Sequence, residues 1–122
     1  MDVSLVESLR ERYPQVFGEL TRAEAGNGWY SLLDRLGAEL SSGPGPYSSI
    51  RLFKEKFGEL RFGKVSVRPE HWQLLDRVTE QSRSVCEICG AKGAMQPRAV
   101  RVRCPGHAQV EHADGRVSSG GG

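Results

Sequence analysis

Three features of the sequence predict an α+β fold. Leucines recur at helical spacing between Trp29 and Leu40, the period changes to one suited to strands between Ser48 and Val67, and two short cysteine-containing turns follow. Those turns are Cys86-Glu87-Ile88-Cys89-Gly90 and Cys104-Pro105-Gly106-His107, in the pattern C-x2-C-x14-C-x2-H. That is the spacing of a four-ligand zinc site. The architecture expected is helices packed on a small antiparallel hairpin or sheet, with a carboxyl-terminal zinc-ribbon-like or treble-clef-like module. Residues 1–84 form the α+β core in this reading, 85–110 a metal module integrated with it, and 111–122 a disordered tail.

The first helix is expected from Ser4, where Ser4 and Glu7 fit a capping box, to Pro14, with Leu5, Val6, Leu9 and Tyr13 as its apolar positions. Val16, Phe17 and Leu20 extend that face after a break, and the stretch to Ala25 has little period of its own. Gly26-Asn27-Gly28 makes a turn whose Asn27 can cap a second helix, on which Trp29, Leu32, Leu33, Leu36 and Leu40 form one stripe. An aromatic on a leucine stripe reads as core rather than as a base-stacking platform. Ser41 to Pro46 is a serine-, glycine- and proline-rich connector.

Ile50 to Phe57 and Leu60 to Phe62 read as an antiparallel hairpin about a Gly58-Glu59 turn, with a second extended piece from Lys64 to Val67. Its basic residues Arg51, Lys54, Lys56, Arg61, Lys64 and Arg68 face only Glu55 and Glu59 as acids. One face is therefore expected to be apolar and the other basic, the basic one being a solvated face or an anion-binding surface. Pro69 suits the first turn of a third helix, with Trp72, Leu75, Val78 and Thr79 buried. His71 beside that stripe is read as a surface or internally satisfied histidine. Between the cysteine pairs, Ala99 to Arg103 alternates apolar and basic as a half-exposed strand does.

The glycine after Cys89 can take the positive φ that closes a knuckle, and Pro105-Gly106 bends the second turn as tightly. Cys86, Cys89, Cys104 and His107 are thus the expected zinc ligands, with His112 as a substitute for His107. Four protein ligands leave no open position on the ion, which points to a structural zinc. A redox C-x-x-C ranks lower, because it requires no matched C-x-x-H and no βαβ pattern surrounds it. A zinc deaminase needs a histidine two residues before a glutamate, upstream of Pro-Cys-x-x-Cys, and that arrangement is missing.

Composition fits a soluble, cytoplasmic protein. Hydrophobic residues make up 38% and charged residues 26% of the chain, there is no apolar run of membrane-spanning length, and the first residues lack a signal-peptide pattern. Three cysteines, all used as ligands, fit a reducing compartment. The net charge of +2 is unevenly spread: residues 1–40 carry four basic and seven acidic side chains, the remainder thirteen basic and eight acidic. This permits an anionic partner without demanding one.

Gly26-Asn27-Gly28-Trp29, the KEKFGELRF segment at 54–62 and the CEICG knuckle at 86–90 together resemble a family of small proteins of bacteria, phages and prophages. Members carry a Gly-Asp-Gly-Trp turn, a KEKFG-x-LRF segment and a C-E-x-C-G knuckle followed by a cysteine and a histidine. The resemblance spans about Tyr13 to His107 and implies a cytoplasmic zinc-binding accessory protein in a mobile-element setting, with no reaction attached. Asn27 stands where the family usually has aspartate, and the aromatic residue that often precedes its last cysteine is missing.

Two function classes follow. The first is a non-enzymatic module that binds a protein or ribonucleoprotein partner, such as a phage-encoded inhibitor of a host defence system of the anti-CRISPR kind. The second is a nucleic-acid-binding accessory protein. The contact residues expected in either are Lys54, Lys56, Arg61, Lys64, Arg101 and Arg103. An enzyme has least support, since nothing in the spacing assembles Glu55, Glu59, His71 and His112 into an acid–base set.

Overall fold

The leucine stripe becomes the inner face of helix α3 (Tyr30–Leu40), where Leu32, Leu33, Leu36 and Leu40 are buried. The computed structural model describes residues 1–96 and 100–108. Before α3 come α1 (Val3–Arg12), the one-turn α2 (Pro14–Phe17) and a strand β1 (Arg22–Glu24). After it come β2 (Ser49–Lys56), β3 (Glu59–Ser66), α4 (Trp72–Ser82) and a small hairpin of β4 (Ala94–Gln96) and β5 (Arg101–Arg103). The α+β expectation is met in this form. The expected tail at 111–122, His112 and the end of the metal module lie outside the described residues.

Pro14 ends the first helix as expected and then serves as the first residue of α2, since its missing N–H costs nothing there. The capping box does not form. The helix starts earlier, with Asp2 as its N-cap, and the Asp2 carbonyl takes the Leu5 and Val6 N–H groups. Asp2 is placed there by its own N–H, donated to Asn27 Oδ1 at 2.8 Å. Asn27 consequently ties the amino end down instead of capping its own helix.

The main sheet has the order β1-β2-β3, with β1 parallel and β3 antiparallel to β2. Sequence periodicity missed β1, because three residues cannot display an alternation. The hairpin turns at Phe57-Gly58, one residue earlier than expected, with φ of 53° and 79°. Positive φ at both loop residues is what a two-residue hairpin connection of the primed type requires. Gly63 does not interrupt β3; it lies flat opposite Leu52, whose methyl occupies the space a side chain would take.

Phe53, Leu60 and Phe62 face inward, where Phe17 meets Tyr13 and Phe53 edge-to-face, each at 6.5 Å between centroids. α4 lies against β3 and α3 through Leu75 and Val78. Its hydroxyls also seal the β3 edge: Thr79 Oγ1 donates to the Leu60 carbonyl at 2.8 Å, and the Leu60 N–H donates to Ser82 Oγ at 2.9 Å. Trp72, expected on the buried stripe, is 47% exposed. It opens the helix one turn before the chain reaches the core, so Leu75 is the first buried contact. His71 Nδ1 lies 2.7 Å from the buried Ser48 Oγ, an internally satisfied histidine.

Candidate metal centre

At the end of α4 the chain enters the first knuckle through a bridge between Val85 and Lys92. The Cys86 N–H donates to the Ala91 carbonyl at 2.7 Å and the Gly90 N–H to the Cys86 carbonyl at 2.8 Å, while Gly90 takes φ of 83°. These bonds fold the backbone back on itself, so Cys86 and Cys89 point to one place. The β4–β5 hairpin returns the chain to the second turn, a 3₁₀ segment Pro105–His107 whose His107 N–H donates to the Cys104 carbonyl at 3.0 Å.

The ligand atoms of Cys86, Cys89, Cys104 and His107 all lie within 4.8 Å of one another. Cys89 Sγ and Cys104 Sγ are 3.6 Å apart, and His107 Nδ1 is 3.2 Å from Cys104 Sγ and 3.7 Å from Cys86 Sγ. A tetrahedral zinc with bonds of about 2.3 Å to sulfur and about 2.0 Å to nitrogen needs edges of about 3.8 Å and about 3.5 Å. The four side chains are therefore positioned to bind a metal ion, and their donor set and spacing fit zinc. Burial pushes the Cys86 thiol up, but the N–H groups of Cys89, Cys104 and Ile88 and the His107 ring outweigh it and lower the thiol to about 6. For Cys89 the Ala91 N–H favours the thiolate, yet burial and the two neighbouring sulfurs leave the thiol raised.

The knuckle sits on the Gly26–Trp29 turn. Gly28 N–H donates to the Glu87 carbonyl at 2.7 Å, Gly26 N–H to Glu87 Oε2 at 2.9 Å, and the Trp29 indole to the Val85 carbonyl at 2.8 Å. At Gly28 backbone meets backbone directly. A Cβ built on Gly28 would overlap the Cys86 carbonyl oxygen and lie 2.6 Å from the Gly90 nitrogen. Gly28→Ala is expected to cost about 1–3 kcal/mol in urea unfolding, as added volume in a packed site does, and to loosen the metal at the same time. Equal stability and equal metal retention would show that the two segments can part without loss.

Glu87, inside the knuckle, is 1% exposed, as is Arg103. Its Oε1 pairs with Arg103 Nη1 at 3.1 Å and with Arg101 Nη1 at 3.4 Å. Arg101 Nη1 also reaches Glu55 Oε1 at 2.9 Å, and Glu55 Oε2 accepts the Gly58 N–H at 2.8 Å. The chain of charges thus runs from the knuckle to the tip of the β2–β3 hairpin. Beside it, Gly58 packs on Met95, whose Sδ would be 2.6 Å from a Cβ there.

Of the six cations expected at a contact surface, Arg103 is enclosed and Arg101 is half-buried between two carboxylates. Apolar/basic alternation suggested that both faced solvent. Val102 is itself fully buried, so the strand is covered on both faces and its arginines meet internal acids. Lys54 lies opposite Arg61 across the ladder, with Glu24 at its other side on β1. Arg61 pairs with Glu59 at 2.9 Å, and Glu59 also holds Arg83 at 2.6 Å. Lys56 is exposed opposite Glu59; Lys64 is exposed, with the other parity along β3. Lys54, Lys56 and Arg61 therefore share the outer face of the sheet, interleaved with acids. Glu55 and Glu87 went unnoticed as structural residues; the available signal was an acid set between the two lysines of KEKFG and another between the two cysteines of the first knuckle.

Fold and site together define a small α+β protein with a Cys3His cluster positioned to bind a metal. No family model, curated protein or solved structure matches the chain. Among the described residues, no helix is long and apolar enough to cross a membrane.

Proposed function

We propose that this protein is a zinc-stabilised, non-enzymatic binding module that makes protein–protein contacts. The observation that carries the reading is the closed Cys3His cluster, seated by backbone hydrogen bonds and buried charges on the core. Four protein ligands fill a tetrahedral ion, so its role is to hold Cys86–Gly90 and Cys104–His107 in place. The nearby carboxylates are occupied too: Glu87 accepts from Gly26 and Arg103, and Glu55 from Gly58 and Arg101. The order of knuckle, hairpin and short helical turn favours the treble-clef-like form of the module. The resemblance to phage and prophage proteins supports an inhibitor of a host defence system as the specialisation, acting on a protein or ribonucleoprotein in the cytoplasm.

Lys54, Lys56 and Arg61 on one exposed sheet face support the second reading, nucleic-acid binding. One pull-down from a nuclease-treated host lysate, with zinc quantified in the bait, separates the two. The module reading expects about one zinc per chain and a nuclease-resistant protein partner that is lost when Lys54 and Arg61 are changed to Glu. Recovery of nucleic acid alone, with affinity falling steeply as salt rises, would replace it with the second.

A further inference from the structure

We propose that Phe57, at the tip of the β2–β3 hairpin, together with Met95 and Val100 of the β4–β5 hairpin forms the apolar centre of the docking surface, and that its partner is a protein presenting an apolar socket rimmed by carboxylates. This rests on the protein-binding reading above and specifies where and with what chemistry the contact is made. Five large apolar side chains are exposed among the described residues, and three of them, Phe57, Met95 and Val100, belong to these two hairpins, at 66%, 41% and 43% exposure. Gly58 joins the two hairpins: a Cβ there would collide with the Met95 methyl and lie 3.7 Å from the Val100 carbonyl oxygen.

The local conformation runs against the residue types. Phe57 has φ of 53° and Val100 has φ of 52°. Loop positions with φ in this region favour Gly, Asn or Asp, and a bulky or β-branched residue there is strained. Strain of this kind persists where the surrounding structure over-determines it, and it clusters at functional sites. The base of the tip is nevertheless rigid, because Glu55 holds the Gly58 N–H and is itself held by Arg101. An exposed aromatic on a fixed base loses little freedom on docking.

The rim identifies the partner's chemistry. Lys56 Nζ lies 5.7 Å from the centre of the Phe57 ring, and Lys54 and Arg61 stand in the next but one row of the ladder on the same face as Lys56. On that face the three cations outnumber the two acids among them, Glu24 and Glu59, and an aromatic anchor beside Lys56 with a net positive edge is complementary to an apolar socket with acidic edges. Single-stranded nucleic acid is disfavoured, since stacking needs successive aromatic platforms and Met95 and Val100 offer none.

The test replaces Phe57 with p-benzoylphenylalanine in the full zinc-loaded chain, irradiates it in nuclease-treated host lysate and identifies the cross-linked peptide. In parallel, binding to the partner so identified is measured for Phe57→Asn and Met95→Lys. Asparagine suits the positive φ, so Phe57→Asn should melt no lower than the parent and retain its zinc while losing at least tenfold in affinity. Met95→Lys should lose binding similarly, and the cross-linked peptide should combine apolar residues with Asp or Glu. Unchanged affinity in both variants, alongside loss on charge reversal at Lys54 and Arg61, would overturn this inference and leave the protein-binding reading standing. Cross-links to a second copy of the chain would overturn the proposed partner, and a wild-type chain that retains no protein would sink both.

Discussion

Stripping the metal with a chelator is expected to unfold the chain as a whole, with a single loss of helix and sheet signal. Cys86 and Cys104 are buried, and the knuckle they close supplies partners to Gly26, Gly28 and Trp29 in the core. Structural zinc contributes about 10–16 kcal/mol of apparent binding free energy in zinc-finger peptides at neutral pH, whereas a whole domain is stable by about 5–15 kcal/mol. Loss of the ion can therefore exceed the entire margin. Cys86→Ser should act as the chelator does. Circular dichroism melts with and without chelator, alongside metal quantification, provide the check. Identical melts from a protein that never contained metal would refute the site.

Glu87→Ala should be the most damaging single change away from the ligands, at about 3–5 kcal/mol, the usual cost of removing one partner of a buried ion pair. Arg103 would keep its charge in an enclosed site, and the Gly26 N–H would lose its acceptor. Breaking a buried pair costs more than never having it, so replacing Glu87 and Arg103 together by apolar residues should recover part of the loss. Arg61→Ala is the control. Its pair with Glu59 is solvent-exposed on the arginine side and should contribute about 0–1 kcal/mol. Urea midpoints at constant zinc measure all three variants, and a Glu87→Ala midpoint equal to that of Arg61→Ala would show the buried network to be dispensable.

The two cysteine turns and the leucine stripe, announced locally, formed as read. The C-x2-C and C-x2-H turns converge because each is closed by bonds within a few residues, and the leucine stripe of α3 is a periodicity of one helix. Features that depend on distant partners were hidden. Arg22–Glu24 is a strand only because β2 lies beside it, and Ser4 loses its capping role to Asp2 because Asn27 holds the Asp2 amide. Trp72 has the right spacing for burial but stands beyond the edge of the core. Arg103 looked like a surface cation because its counter-charge, Glu87, is sixteen residues away and was read only as the second residue of a knuckle.

The seat formed by Gly26, Gly28 and Trp29 also bears on when the protein can fold during its synthesis. Those three donors wait for Val85 and Glu87, and the knuckle containing Glu87 waits for Cys104 and His107. At roughly 5–20 residues per second, the ribosome takes about 4–16 s to extend from that turn to the last ligand. For most of that interval the tryptophan indole and its neighbouring amides have no native acceptors, and for the rest the acceptors stand on a knuckle not yet closed. Completion of the amino-terminal core is therefore set by the arrival of the second knuckle and by the free metal it meets there.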